Sequence, residues 1–363
     1  MSKKNNNELS PKLLYATKLA VVVLILSVAG LFIYFFQPNW LKFNLNLNSK
    51  PAVVPPVSII ASSSAPVTCT NCVRRLLDGE MVAPELAESR PYAVMIDNFP
   101  VARPESGLSA ASLVYEAPVE GGITRYLAFF APDKAPLEIG PIRSARAYFL
   151  NWAKESGATY VHVGGSPEAL DLAKNLGSSN LDEFYKGSYF WRSDSRMAPH
   201  NVLTSSDNLN KYRSDSGESG AKLDSWQFKD ALASSTSVIS EIKIKYPTGY
   251  AVSWQYQADT NSYIRYQDNA LYLDANGQQV IAKNILVHLA SFKVVDDKLR
   301  LEMADDLSGP ALLCQDGNCQ MGVWKKNSST ARTKYYNKNG EEFIFNAGNT
   351  WIEVIDNLNI LEY

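Results

Sequence analysis

The sequence predicts an α+β protein with an N-terminal transmembrane helix, a mixed α/β domain and a β-rich C-terminal domain. An apolar run near the N-terminus is long enough to span a bilayer, and helical and strand patterns alternate after it. Short alternating runs separated by turn signals fill the last third of the chain. The predicted segments are a cytoplasmic N-terminus at 1–18, the transmembrane helix at 19–36, an extracytoplasmic linker at 37–72, the α/β domain at 73–213, a connector at 214–240 and the β-rich domain at 241–363.

The length and composition are those of a globular protein with additional segments outside its folded domains. The 363 residues suffice for two domains. Apolar residues make up 46% of the chain, charged residues 20%, and the net charge is −2. No overall electrostatic attraction therefore favours nucleic acid, and binding of an anion needs a local cluster of cations. We expect no nucleic-acid partner, no cofactor and no metal.

The run L-A-V-V-V-L-I-L-S-V-A-G-L-F-I-Y-F-F at 19–36 predicts a single membrane-spanning helix. It holds eighteen residues without a charge, which is about the minimum for a span, and Lys18 can lengthen it by snorkelling. Four lysines precede the run against a single acid. The positive-inside rule then places the N-terminus in the cytoplasm and everything after residue 40 outside the cell.

Two other kinds of N-terminus are less consistent with this run. A cleaved signal peptide is disfavoured because the run is long for one and no clear small-x-small site follows it directly. A lipid-anchored N-terminus is not expected, because no cysteine follows the run. The predicted location is the cell membrane, crossed once, with both domains extracytoplasmic.

The four cysteines lie on the predicted external side, where disulfides persist. Cys69 and Cys72 form C-T-N-C, and Cys314 and Cys319 flank an Asp-Gly pair that predicts a hairpin turn. Local pairing, 69–72 and 314–319, is preferred among the three connectivities. A four-cysteine zinc site is disfavoured because the second spacing is not C-x-x-C. A redox-active C-x-x-C is disfavoured because no thioredoxin-like strand precedes it.

The elements follow in order after a linker rich in Pro, Ser and Asn at 41–67. Helices that end in or near glycine alternate with apolar runs bounded by turn residues, which is α/β in character. A polar stretch at 214–236 is a plausible connector, and the short runs that follow predict the β-rich domain. The predicted strands of the first domain are 92–98, 112–119, 123–132 and 159–166, and its predicted helices are 144–157, 167–177 and 207–213.

The hairpin that joins strands 112–119 and 123–132 holds charges whose pairing depends on the turn. Arg125 lies on an apolar strand face, where a charge needs a partner. If Glu120-Gly121 is a two-residue turn, Glu116 lies opposite Arg125. If Gly121-Gly122 is the turn, a proline lies there and the partner must come from elsewhere. A purely structural Glu–Arg pair remains an equal alternative to a functional one.

The run I-G-P-I-R-S-A-R at 139–146 places two arginines in the predicted first turn of helix 144–157. Arg143 and Arg146 are three residues apart, on either side of Ser144, and so should share one helix face. Cations are disfavoured at this end of a helix. An anion bound by both guanidinium groups is therefore slightly favoured over arginines that point into water or meet acids.

The run H-V-G-G-S-P-E-A has a strand, a turn and a helix start. Gly164 and Gly165 form the turn, Ser166 caps the helix, and the N–H groups of the turn can receive an anion. Ser166 as a nucleophile, with His162 or His200 as base and Asp97 behind it, is less favoured because the surroundings are not G-x-S-x-G.

A polar loop, F-W-R-S-D-S-R-M-A-P-H-N, gathers Arg192, Arg196, His200 and Asn201 within ten residues. Such density in a loop of a rigid domain often carries function. His200 can serve as acid, base or hydrogen-bond donor to an anion. A metal centre that would use this histidine has no supporting spacing.

Several of these runs resemble the YerB-like family of bacterial envelope proteins, a domain of unknown function. They are RPYAVMIDN, ARPESGL, VYEAPVEGGITRYLAFF, IGPIRSAR, YVHVGGSPEAL and RMAPHN, and the resemblance covers nearly all of residues 74–363. It implies a membrane-attached extracytoplasmic protein with two conventionally separated portions and no established reaction. Many members look like lipoproteins, whereas this chain has a helix anchor, no lipobox cysteine, and TCTNCVRRLLDG in place of the usual segment leading into the domain.

Three functional hypotheses follow. The first is a binding module whose α/β domain holds an anionic envelope ligand, such as a cell-wall fragment or a phosphorylated polymer, in an arginine-lined cleft. The second is a hydrolase or transferase acting on the same ligands, with Glu116 or Glu120 and His200 as acid and base. The third is a scaffold for protein partners, with the arginines as internal braces. The candidate ligand-binding residues are Asp97, Asn98, Arg103, Arg125, Arg143, Ser144, Arg146, His162, Gly164, Gly165, Ser166, Arg192, Arg196 and Asn201.

Overall fold

The computed structural model of the protein describes residues 71–218, 223–231, 239–247, 249–304, 306–328 and 331–363. The predicted transmembrane helix at 19–36 and nearly all of the predicted linker lie outside these residues. Within them, no helix combines the length and apolarity needed to cross a membrane. The chain divides into two compact units, and the second, Val67–Tyr363, contains every element described below.

The helices of the described residues begin and end at residues suited to those positions. Ser166 and Ser205 accept hydrogen bonds from backbone N–H groups three residues later, and Gly217 ends the last helix with a positive φ of 68°. Leu150 and Trp152 on the first helix are buried against the main sheet. The helices are α1 Ala147–Glu155, α2 Pro167–Ala173, α3 Glu183–Lys186 and α4 Ser206–Ser216.

Most of the described residues belong to strands or to the turns between them. The strands are β1 Val73–Arg74, β2 Met81–Val82, β3 Tyr92–Asp97, β4 Leu113–Pro118, β5 Thr124–Phe130, β6 Thr159–His162, β7 Asn180–Asp182, β8 Trp191–Arg192, β9 Val202–Leu203, β10 Gln227–Lys229, β11 Glu241–Lys245, β12 Ala251–Gln257, β13 Ser262–Gln267, β14 Ala270–Leu271, β15 Ile281–Ala282, β16 Asn284–Leu289, β17 Phe292–Val294, β18 Leu301–Met303, β19 Ser308–Gln315, β20 Asn318–Lys325, β21 Lys334–Asn337, β22 Ile344–Asn346, β23 Thr350–Ile355 and β24 Leu361–Glu362.

A ten-stranded mixed sheet forms the centre of the protein, in the order β21-β20-β19-β16-β23-β4-β5-β3-β6-β7. The first five strands in this order come from the segment predicted as the β-rich domain, and the last five from the segment predicted as the α/β domain. They meet where β23 pairs in parallel with β4, with Glu353 beside Glu116. The two predicted segments thus share one hydrogen-bonded sheet.

Both faces of this sheet are covered. A second sheet, in the order β14-β13-β12-β11-β24, packs with α4 against one face, where Val94, Val114 and Trp351 join Ile242 and Trp254 in one core cluster. Helix α1 and part of α2 cover the other face, in a second cluster of buried apolar residues. The fold is therefore a mixed α/β body of three layers in which sheet predominates.

The structure corrects two local predictions. The hairpin between β4 and β5 has a three-residue turn, Glu120–Gly122, so Ala117 lies opposite Arg125, and neither two-residue turn is correct. Helix α1 begins at Ala147 rather than at residue 144. The chain before it is extended because it forms backbone hydrogen bonds with β3 and with the glycine turn after β6. By contrast, strands 92–98, 112–119 and 123–132 are confirmed as β3, β4 and β5.

Candidate functional site

Asp97 is the last residue of β3, and its carboxylate contacts the side chains of Arg143 and His200. Its Oδ2 atom lies 2.6 Å from Nδ1 of His200 and 3.0 Å from Nε of Arg143, while Oδ1 accepts a hydrogen bond from the N–H of Phe99. The imidazole of His200 stacks on the Phe99 ring at a centroid distance of 5.2 Å. Asp97 is 1% exposed. A buried carboxylate on Nδ1 orients the ring and leaves Nε2 as the nitrogen that can exchange a proton.

Glu120, in the hairpin turn, joins Arg125 to Arg146. Arg146 donates two hydrogen bonds to the carboxylate, one of them 3.0 Å long from Nε, and Nη2 of Arg125 lies 3.5 Å away. Arg125 also donates to the carbonyl of Ser144 over 2.9 Å. Burial acts to raise the pKa of Glu120, but the charges of Arg125 and Arg146 outweigh it and hold that pKa below its usual value. This cluster is an internal brace, because the side chains of the two arginines are 2% and 9% exposed.

The prediction that Arg143 and Arg146 share a helix face is wrong. Arg146 is the N-cap residue of α1, with an extended φ of −131°, and Arg143 lies outside the helix. Their guanidinium groups therefore diverge, one toward Asp97 and the other toward Glu120.

A fully buried ionic network lies where the second sheet packs on the main sheet. Nη2 of Arg265, on β13, lies 2.8 Å from Glu116, and Nη1 lies 3.1 Å from Glu353. Tyr250 donates to Glu116 over 2.7 Å. All three charged side chains are 0% exposed. Glu116 bonds to these groups rather than to Arg125 or His200, so the predicted acid–base pairing with His200 is not formed, and Glu120 does not form it either.

Carboxyl groups outnumber cations in this buried region. Burial, assisted by the charge of Glu116, raises the pKa of Glu353 to about 8. Burial likewise raises the pKa of Glu105 to about 7, and the hydroxyl of Tyr272 donates a hydrogen bond to that carboxyl. The centre of the Arg265 guanidinium lies 4.7 Å from the Trp351 ring. The network thus holds protons near neutral pH and fixes the two sheets against each other.

Above this network is a cavity of about 280 Å³ with Arg103 in its wall. Arg103 donates to the side-chain and backbone oxygens of Asn98, both over 3.0 Å, and its guanidinium lies 5.0 Å from the centre of the Tyr250 ring. The nearest carboxylate, Asp268, is 3.9 Å away and half exposed. An open cavity of about 460 Å³ has the same arginine and aspartate in its wall, together with Tyr272. Arg103 is therefore a cation accessible from two hollows.

The polar loop at 190–201 supports this region. Arg196 donates to the backbone carbonyls of Ala102 and Pro104, over 2.6 Å each, on either side of Arg103. Among the described residues no carboxylate lies within 4.0 Å of the Arg196 guanidinium. Arg192 instead binds Asn201 over 3.1 Å and Glu183 over 3.0 Å, away from the cavity.

The glycine turn after β6 has fewer free donors than the sequence indicates. The N–H of Gly164 donates to Asp182 and that of Ser166 to Ala145, so these two groups are not available to an anion. His162 is 0% exposed, and its ring nitrogens lie 2.7 Å from the Gly164 carbonyl and 2.8 Å from Asn180. Ser166 caps α2, as predicted. Gly165 lies in the same turn, paired with Ala145.

The predicted arginines therefore do not converge on one cleft. Arg125 and Arg146 share Glu120, Arg143 pairs with Asp97 and Arg192 pairs with Glu183. Arg103 and Asn98, by contrast, line the cavity. Sequence reasoning missed Tyr250, Asp268 and Arg265. Arg265 gave no comparable signal, because it shares its strand face with Tyr263 and Gln267, whereas Ile264 and Tyr266 lie on the other face.

The predicted hairpin disulfide is confirmed. Cys314 and Cys319 are bonded and face each other across β19 and β20. The turn between them has positive φ at Asp316 and Gly317, as a two-residue hairpin turn requires. Cys72 is also disulfide-bonded, and its predicted partner Cys69 lies outside the described residues.

Comparison with known proteins identifies the family. Residues 77–219 match the family described as "Protein of unknown function (DUF3048) N-terminal domain", and residues 242–352 match the corresponding C-terminal domain. A curated relative, "Putative lipoprotein YerB" of Bacillus subtilis (strain 168), is 32% identical over 292 residues, which cover 78% of this chain and 86% of the relative. The chain belongs to the YerB-like family.

A solved structure of the YerB-like family has the same fold. The crystal structure of the YerB protein from Bacillus subtilis superposes with a TM-score of 0.72 at 30% identity, over 80% of this chain and 99% of that one. The resemblance inferred from the sequence is confirmed, and with it the status of a family of unknown function.

Proposed function

We propose that this protein is anchored in the cell membrane, faces the outside with its folded unit, and binds an anionic cell-envelope ligand at the Arg103 cavity. The apolar run at 19–36, with lysines before it, supports the anchor. The name of the Bacillus subtilis relative as a lipoprotein supports attachment to a membrane. The disulfide between Cys314 and Cys319 supports an oxidising compartment.

The main support for an anionic ligand is that the positive charge of Arg103 is only weakly balanced by negative charge around the cavity. Neutral oxygens of Asn98 and Gln267 accept the hydrogen bonds of Arg103. Among the described residues one carboxylate, Asp268, lies within 4.0 Å of its guanidinium, at 3.9 Å and half exposed. Arg196 donates to the backbone carbonyls on either side of Arg103 and so holds the segment that carries it. A phosphate or carboxylate that displaces Asp268 would gain forked hydrogen bonds from the guanidinium group.

The test is retention of the full-length protein on purified phosphate-bearing wall polymer. Substitution Arg103→Gln should weaken binding about tenfold or more, because a hydrogen bond between charged groups contributes about 1.5–3 kcal/mol. Binding should also weaken as salt rises. The matched control is Arg300→Gln, which removes an arginine paired with Asp296 on a distant hairpin. Equal retention of both variants would count against the proposal.

A second candidate function, hydrolysis or group transfer on the same polymers, is favoured by one contact. The buried Asp97 holds Nδ1 of His200, which is the arrangement of an oriented general base. Turnover of ester and phosphodiester probes should then be at least about a hundredfold slower in His200→Gln. The dependence of the remaining rate on pH should no longer show the inflection that a histidine base produces. Absence of turnover by the unmodified protein would remove this candidate without affecting ligand binding.

A further inference from the structure

A separate cavity of about 360 Å³ lies on the opposite face of the main sheet from the second sheet. Helix α1 supplies Asn151 and Trp152 to its wall, and Glu302 and Met303 come from β18. None of these residues takes part in the Arg103 cavity. What binds here is thus a question independent of the proposed function.

The floor of this cavity contains an unsatisfied histidine. His288, which is 1% exposed, has Nδ1 3.2 Å from the Tyr335 hydroxyl, and its ring stacks on Trp324 at 4.4 Å. Its Nε2 atom has no hydrogen-bond partner in the part of the chain that the structure describes. Burial, with the charge of Lys326 adding to it, lowers the pKa of His288 to about 3, so the ring is neutral. A buried polar atom left unpaired costs about 1–3 kcal/mol, so a ligand that supplies a hydrogen bond to Nε2 would recover that free energy on binding.

The charges of the wall argue against an anionic ligand. Lys326 is already paired with the buried Glu155 over 2.6 Å. Glu302 is likewise paired, with Lys293 over 3.3 Å. The remaining wall carries two carboxylates, Glu168 and Asp306, against one further lysine, Lys154. This excess of acceptors over cations would repel a phosphate or carboxylate.

The same mixture of groups suits a sugar. Hydroxyl groups both donate and accept hydrogen bonds, so carboxylates, an amide, an ammonium and a neutral imidazole can each bind one. The aromatic side chains in the wall offer apolar contact to the C–H groups of a sugar ring. The volume is within the usual range for small-ligand sites, roughly 300–1,000 Å³.

We propose that this cavity binds an uncharged, hydroxyl-rich ligand of the saccharide class, with His288 on its floor and Glu302 and Asp306 at its rim. The protein then has two binding sites of different chemistry on opposite faces of one sheet, one for an anion and one for a sugar.

The experiment is an NMR titration of the full-length protein in a detergent without a sugar headgroup. The probes are N-acetylglucosamine, its β-1,4-linked disaccharide and glucose, with inorganic phosphate as the negative probe. The readout is the indole N–H signals of Trp152 and Trp324, each assigned with a Trp→Phe substitution. We expect at least one saccharide to shift both signals and phosphate to shift neither.

The variants separate a bound sugar from an unspecific change. Asp306→Asn, at an exposed rim position, should weaken the saccharide about fivefold to tenfold, since it removes a charged acceptor. His288→Phe should do the same while keeping the stack on Trp324. Arg300→Gln, which removes an arginine that is paired with Asp296 and does not line the cavity, should bind the saccharide as the unmodified protein does.

Three outcomes overturn the inference. One is that none of the saccharides shifts either indole signal. Another is that Asp306→Asn and His288→Phe both bind with unchanged affinity. The third is that phosphate shifts the signals or competes with the sugar. Failure here leaves the anion site standing, because Arg103→Gln is measured against a different probe.

Discussion

Arg265→Met removes the cation that bonds both Glu116 and Glu353, and it should destabilise the fold strongly at neutral pH. Both carboxylates are 0% exposed and lie side by side in β4 and β23. Methionine replaces much of the arginine volume but none of its charge. Breaking a buried ion pair by removing one partner costs about 3–5 kcal/mol, because the other charge is left buried and uncompensated.

The size of this loss should depend on pH. Without Arg265, the folded variant must keep one carboxyl more in its protonated form, whereas the unfolded chain releases that proton above a pH of about 4.5. Each pH unit then costs about 1.4 kcal/mol per proton. Between about pH 5 and pH 7.5 the deficit relative to the unmodified protein should therefore grow by about 3 kcal/mol.

The assay is urea denaturation of both proteins at these two pH values, with Arg300→Met as the control for loss of a partly exposed pair. A second variant, Arg265→Met combined with Glu353→Gln, should recover part of the loss at the higher pH because one of the two carboxylates is gone. A deficit below about 1 kcal/mol that does not change with pH would refute the reasoning, since it would mean that these carboxyl groups are not held in a low-dielectric core.

Three further predictions concern stability. The pKa of Glu105 is raised in the fold to about 7, so the folded state keeps a proton that the unfolded state loses. This group alone should lower stability by up to about 3 kcal/mol as pH rises from about 4.5 to 7, and urea titrations of Glu105→Gln should show a pH slope shallower by that amount. Joint Cys314→Ser and Cys319→Ser substitution should cost about 2 kcal/mol for so short a loop, measured by denaturation under oxidising conditions. Ser166→Ala should cost about 1 kcal/mol, as expected of a lost helix cap, and a far larger effect on a catalysed reaction would contradict that role.

The local elements of this fold could be predicted because their signals are local. Strands β3 to β5 follow from apolar runs bounded by turn residues, and the disulfide hairpin follows from Asp316-Gly317 between its cysteines. The Ser166 cap before Pro167 is equally legible. Each of these depends on residues within one element or one turn.

The joining of the two halves could not be predicted in the same way. The parallel pairing of β4 with β23 links strands more than two hundred residues apart, and nothing in either strand specifies its partner. The cation paired with Glu116 is Arg265 on β13, whereas its own hairpin supplies only the hydroxyl of Thr124. The turn error had a different cause, since Gly121 and Gly122 both accept positive φ and so permit several turn lengths.

The sequence predicted which charged residues matter, but it did not predict which of them contact one another. Asp97, Arg143 and His200 do come together, and so do Glu120, Arg125 and Arg146. Their mutual pairing means that most of the arginines stabilise the fold. The exception, Arg103, depends on Tyr250 and Asp268 from the C-terminal half.

The most direct measurement is the NMR signal of the Arg103 side-chain Nε–H group during titration of the full-length protein with polyphosphate. The account predicts a saturable shift of that signal, with the corresponding signal of the internally paired Arg146 unchanged. If the Arg103 signal does not shift although the protein still binds the polymer, anions are recognised elsewhere, and the assignment of this cavity is contradicted.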